Sequence, residues 1–225
     1  MIVEPINHFM KKVIAFALAV LVIIAYSCKK ETKTEINYVK EVAGDVVNHF
    51  PLQVGNYWIY RNYNLDSQGT ATPTNDWDSA FISKDTLIRG LTYYKMNEKN
   101  FLILSDRTIS YQRDSLGYLV DSHGNIRFAE NNFTDTLYID SAHPDLYMGY
   151  ATMWAKDSLV YVNAGGFLSS TVRMSVVPTR PDDPIPVRYT YDIYGKGVGR
   201  LKYHSFFYAG DKHFESRLER YHLEP

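Results

Sequence analysis

The chain has 225 residues, with 24 Lys and Arg against 25 Asp and Glu, and 15% of its residues are aromatic. A formal charge of −1 excludes the basic patch that a nucleic-acid partner needs. The single cysteine, Cys28, excludes an internal disulfide, so packing must hold the folded part together.

Met10-Lys11-Lys12 precedes an unbroken apolar run, Val13 to Tyr26, then Ser27 and Cys28. The run is 14 residues long. A membrane-spanning helix needs about 20, whereas the apolar core of a signal peptide runs about 7–15 residues behind a basic start. Residues 1–27 are therefore expected to be an export signal, with Met10 as its start, because Glu4 and Pro5 do not suit one. Ser27 is the small residue needed before a cut. The segment resembles bacterial lipoprotein signals, in which the cysteine becomes the acylated N-terminus. Ala25, where such signals usually carry Leu, and bulky Tyr26 depart from that pattern, and Ala25-Tyr26-Ser27 also fits ordinary signal peptidase. Lipidation at Cys28 better explains a lone cysteine at this junction. Removal of residues 1–27 takes away two lysines and one glutamate, leaving a charge of −2.

Residues 28–48 read as a polar tether; about 20 flexible residues span roughly 25 Å root-mean-square. The folded domain is expected over 49–225. From Tyr57 the residues alternate, with Trp58, Tyr60 and Asn62 on one face and Tyr57, Ile59, Arg61 and Tyr63 on the other, as in a strand. Asp66–Asp76 reads as a polar loop. Strands are expected at 77–83 and 91–97, with a turn bracketed by Lys84-Asp85-Thr86 and Gly90. Others follow at 101–105, 108–113, 118–121, 125–129 and 134–139. The run ends with 146–154, 158–162, 168–177, 188–194, 198–208 and 214–222. Pro144 breaks one connection and the Arg180–Pro186 loop another. No stretch carries a long helical stripe with caps. Short strands separated by turn signals predict an all-β fold. Sequential hairpins favour a single antiparallel β-meander, closed as a sandwich or as a partly open barrel.

Three pieces carry a family resemblance. They are Phe50-Pro51-Leu52 with Gly55-Asn56, Trp58 and Tyr60; Lys84-Asp85-Thr86 leading to Gly90 and Tyr93-Tyr94-Lys95; and Tyr194-Gly195-Lys196-Gly197-Val198-Gly199. Together they resemble a broad group of uncharacterised envelope lipoproteins and secreted proteins of Bacteroidota. The resemblance implies a β-rich exported domain anchored in the outer membrane, and it transfers no catalytic residue. Gly195, Gly197 and Gly199 suit a bulge or tight bend where backbone approaches backbone.

Six positions read Asp, then Ser or Thr, then a small or aliphatic residue, with Ser79, Thr86, Ser115, Thr136, Ser141 and Ser158 in the middle. They resemble the O-glycosylation acceptor of exported Bacteroidota proteins, although such pairs also favour turns. His204, His213 and His222 are nine residues apart. With Gly210-Asp211 as the last turn, His204 and His213 are expected roughly 14 Å apart and His222 on the other face. Zinc ligands must each reach one ion at about 2 Å, so no metal site is expected, and no cofactor motif occurs. Asp76 and Asp78 share a strand face, as do carboxylate pairs, but read more simply as a solvated strand entrance. Trp58 reads as core, whereas Trp77 and Trp154 are the candidate ligand-stacking aromatics.

The functional expectation is a non-catalytic cell-envelope lipoprotein, attached to a membrane by its N-terminal lipid and binding a glycan, lipid or envelope protein, or acting structurally. Two alternatives stay open. A lipid carrier would show a deep apolar cavity. A carbohydrate-active enzyme would show two facing carboxylates or a perturbed acid in a cleft.

Overall fold

The computed structural model describes residues 49–99, 107–180, 182, 185–208 and 210–225. The leader, Cys28, the tether and the expected strand 101–105 lie outside them. The described residues form β1 (Tyr57–Leu65), β2 (Ala71–Ile88), β3 (Leu91–Lys99), β4 (Thr108–Ser115), β5 (Tyr118–Asp121) and β6 (Ile126–Ala129). These are followed by β7 (Thr136–Asp140), β8 (Tyr147–Val162), β9 (Gly165–Pro178), β10 (Arg188–Gly195), β11 (Gly199–Phe206) and β12 (His213–His222). All twelve strands lie in one antiparallel sheet, in the order β6-β5-β4-β3-β2-β1-β12-β11-β10-β9-β8-β7. Every sequential pair is a ladder except β6 and β7, and β1 pairs with β12. The meander thus closes on itself through its termini. It is a nearly closed barrel whose two edge strands, β6 and β7, are neighbours in sequence. Closure removes most of the exposed edge that an open sheet would present.

Several expected boundaries move. The polar loop shrinks to 66–70, where Asp66 Oδ1 accepts from the amides of Gln68 and Thr70 at 2.9 and 2.7 Å. β2 then begins at Ala71, with Pro73 next to a register shift, where its missing N–H is tolerated. The second piece, Lys84-Asp85-Thr86, is strand rather than turn: a bulge at Ile82/Lys84 absorbs the irregularity. The turn itself is Arg89-Gly90, both with positive φ, the conformation that matches strand twist in a two-residue hairpin. The strands expected at 146–154 and 158–162 are one long strand, β8, with register shifts near Ala155 and Ser158.

That bent hairpin closes one end of the barrel. At its tip the amide of Ala164 donates to the carbonyl of Leu218 on β12, 3.2 Å away. The same end holds the apolar core: Trp58, Val198, Leu201 and Leu218 are fully buried, with Phe50, Phe128, Phe167 and Tyr194 around them. Phe50 stacks on Trp58 at 5.3 Å and meets Tyr194 edge-on at 6.1 Å, so the chain enters the domain as part of the plug.

The first and third resembling pieces are explained here. Buried Asn56 donates to the Pro51 carbonyl at 2.9 Å and accepts from the Glu224 amide at 2.7 Å, tying the two termini together. Trp58 Nε1 donates to the carbonyl of Val198. Gly199 has φ +100°, and a Cβ there would come within 3.1 Å of the Trp58 indole; one at Gly195 would strike Leu201. What approaches these two glycines is therefore side chain, not the backbone expected from sequence.

Candidate functional site

The connections of the meander alternate between the two ends of the barrel. Those between β5 and β6, β7 and β8, β9 and β10, and β11 and β12 lie opposite the plug. Between them opens a cavity of about 540 Å³, lined among others by Arg127, Tyr138, Asp192, Arg200, Tyr203 and Ser205. Its rim includes Tyr147 and Tyr208, whose rings lie 5.1 Å apart.

Alternation along β10 and β11 points Asp192 and Tyr203, which are register partners, into the barrel. A register shift after Ile193 turns Arg200 inward as well. Arg200 donates to Glu98 Oε1 on β3 at 2.9 Å and lies 3.6 Å from Asp192 Oδ1. Tyr60 and Tyr203 flank its guanidinium at 5.5 and 5.6 Å. These three charged side chains keep 23–28% of their surface open, and they line cavity space. Burial works against the charge on Arg200, yet Glu98 beside it, with Tyr60 and Asp192, holds its pKa well above the usual. Burial pushes the Asp192 carboxyl up, against the pull of Arg200 and Arg127. Burial also pushes Tyr138 up to about 12. A second polar row continues from this cluster, where the Ser216 hydroxyl lies between Asn62 Oδ1 and, at 3.0 Å, Asp78 Oδ2.

The predicted site residues do not converge on the cavity. Trp77 and Trp154 are 44% and 57% exposed, on β2 and β8, separated in the sheet by five strands. Each lies against an arginine instead: Arg61 at 5.7 Å from Trp77 and Arg173 at 3.4 Å from Trp154. Among the paired Asp-Ser/Thr positions, Thr136 and Ser141 are exposed, while Ser79, Thr86, Ser115 and Ser158 are half-buried. Asp76 is exposed and Asp78 is buried, so those carboxylates face different surroundings. Trp58 is fully buried in the plug.

The histidine geometry differs from the expectation. The last turn spans 207–212, so His213 pairs with Phe206 rather than Tyr208. His204 therefore lies diagonal to His213, with Nε2 and Nδ1 3.1 Å apart. Arg188 donates to His213 Nε2 at 3.1 Å and to the carbonyls of Phe207 and Gly210. Burial and mutual charge lower the pKa of His204; burial and Arg188 lower that of His213. Among the described residues no three His, Cys, Asp or Glu side chains are grouped to hold a metal ion.

The interior cluster escaped sequence reading. Arg200 and Glu98 are 102 residues apart, and nothing local in either strand marks it as inward-facing and paired. The only available signal was the pair of strand charges that broke the apolar alternation.

The described chain is, then, an all-β barrel-like meander plugged at one end and open at the other over a buried charge cluster. Two solved proteins of Bacteroidales have a similar fold. A Bacteroides fragilis crystal structure, described as a "putative exported protein with YmcC-like fold", aligns with 79% of this chain and all of its own, at 14% identity and TM-score 0.50. A "putative lipoprotein" of Parabacteroides distasonis aligns over the same shares at 13% identity and TM-score 0.49. At such identity the likeness is one of fold. No family model and no curated protein matches the sequence.

Proposed function

We propose that this chain is an exported, lipid-anchored binding protein of the bacterial outer membrane, and that the barrel cavity takes a small polar molecule. The observation that carries the reading is the open cavity, floored by the Arg200 cluster and ringed by tyrosines, at the end away from the plug. Volumes of about 300–1,000 Å³ with a few convergent polar groups are the usual form of a small-molecule site.

The anchor is supported by the short apolar leader ending at Cys28, and export by the likeness in fold to the Bacteroides fragilis protein described as putatively exported. The described chain begins at the plugged end, where Phe50 stacks on Trp58. Hairpin tips at that end expose Leu87 and Leu116, at 72% and 96%, which suits an end that faces a bilayer. The mouth then faces away from the anchoring membrane. Thr136 and Ser141 are the acceptors most open to O-glycosylation, and the intact mass of the native protein reads their occupancy.

The reading sets aside the two alternatives on specific grounds. An apolar cargo would have to desolvate Arg200, Glu98 and Asp192, so a lipid carrier fits this interior poorly. Asp192 is the perturbed acid that an enzyme would use, but it and Glu98 share one guanidinium rather than flanking an open gap. The test is native mass spectrometry of the protein purified from its own envelope, beside a Ser205→Trp variant that fills the cavity. The proposal expects a bound small molecule in the first and none in the second. A molecule retained equally by both, or absent from both, refutes it.

A further inference from the structure

The cavity holds two guanidinium groups, used differently. That of Arg200 is spent on Glu98 and Asp192. That of Arg127 lies over the Tyr138 ring, its carbon 4.4 Å from the ring centre. Among the described residues it makes no hydrogen bond and meets no carboxylate within 4.0 Å. Arg127 is on β6 and Tyr138 on β7, so the stack bridges the one seam of the barrel that no ladder closes. Both residues line the cavity, so the guanidinium stands at its wall. Burial works against the charge on Arg127, but Tyr138, Tyr194 and Asp192 nearby keep its pKa raised. The side chain is half-buried, and its charged donors have no protein acceptor among the described residues, which leaves them free for a ligand in the cavity.

We propose that Arg127 anchors the carboxylate of a small ring-bearing monoanion held in the barrel cavity. This rests on the cavity being the binding site and adds the class of its ligand. A guanidinium fork matches a carboxylate with two parallel hydrogen bonds. The ring is read from the walls: Tyr138, Tyr147, Tyr203 and Tyr208 offer aromatic faces with hydroxyl tips. The single charge follows from the neighbourhood. Glu98, Asp192 and Asp140 already stand in or behind the lining, and a dianionic phosphate would meet them with only one guanidinium uncommitted.

The test uses two matched pairs of probes, 4-hydroxybenzoate with 4-hydroxybenzamide and glucuronate with glucose. Binding to the whole protein is followed by titration and by the Arg127 Nε–H resonance. A charge-assisted bidentate contact is worth about 1.5–3 kcal/mol, roughly 10–100-fold in affinity. The expected result is that the acid of at least one pair binds at least about tenfold tighter than its neutral mate and shifts the Arg127 resonance. Arg127→Gln removes that preference, Arg127→Lys restores part of it, and Ser205→Trp removes binding. The sugar and aromatic pairs distinguish the two kinds of ring. Acid and neutral probes bound equally, and displaced by Ser205→Trp, would overturn the anchor while leaving the cavity site standing. Preference surviving in folded Arg127→Gln, or no acid perturbing Arg127 at millimolar concentration, would overturn it too.

Discussion

Replacing Arg200 by methionine removes the one cation that Glu98 and Asp192 share, at 2.9 and 3.6 Å, and leaves two carboxylates facing each other inside the barrel. Breaking a buried ion pair by deleting one partner costs about 3–5 kcal/mol. About a quarter of each side chain opens onto the cavity, where water screens part of the charge, so about 2–4 kcal/mol is the better figure. For a domain of this size that lowers Tm by roughly 4–16 °C. The loss has a pH signature. Asp192, already pushed up by burial, loses the pull of Arg200, and its folded-state pKa rises further above its unfolded value near 4. A raised folded pKa contributes stability at low pH that is lost as pH rises through it. The deficit of the variant is therefore largest at neutral pH and shrinks as Asp192 takes up its proton toward pH 4. Urea unfolding of both proteins at pH 7.5 and pH 4.5 measures it. Glu98→Gln leaves Asp192 to pair with Arg200 and loses less. A loss below about 1 kcal/mol at pH 7.5, or the same loss at both pH values, would refute the argument.

Trp58→Phe leaves the buried Val198 carbonyl without its donor and opens space against Phe50; a loss of about 2–4 kcal/mol is expected by chemical denaturation. Gly199→Ala, at φ +100° and against the indole, loses more than about 1 kcal/mol in the same assay. The His204–His213 pair has both pKa values lowered, so the unfolded chain binds those protons first. Its contribution is present above about pH 6.5 and is lost as pH falls through the folded values. Melting from pH 8 to 5 should show that slope, and His204→Gln should flatten it. Cys28→Ala should move the protein from the membrane fraction to the soluble one, as read by fractionation; unchanged retention would count against the anchor.

Much of the strand pattern was legible because side-chain alternation is local. Trp58, Tyr60 and Asn62, grouped on one face by their alternation, are all buried, and Leu116-Gly117 marked its turn correctly through two positive φ values. Ala71 to Asp76 was not legible, because its Thr and Pro residues carry loop composition and only pairing with β1 makes them strand. The His204–His213 contact was missed through a two-residue error in one turn, which moves every cross-strand partner. Closure through β1 and β12, the folded-over tip at Ala164, and the Glu98–Arg200 pair each join residues 54 to more than 160 positions apart. Such contacts leave no trace in a local window, and the candidate site is made almost wholly of them.

The most direct measurement is a crystal structure of the protein taken from its native envelope without stripping. Our account predicts density for a small molecule inside the barrel mouth, with an acidic group on Arg127 and a ring against the tyrosine wall. Density confined to the outer face beside Trp77 or Trp154, over an empty or collapsed interior, would contradict it.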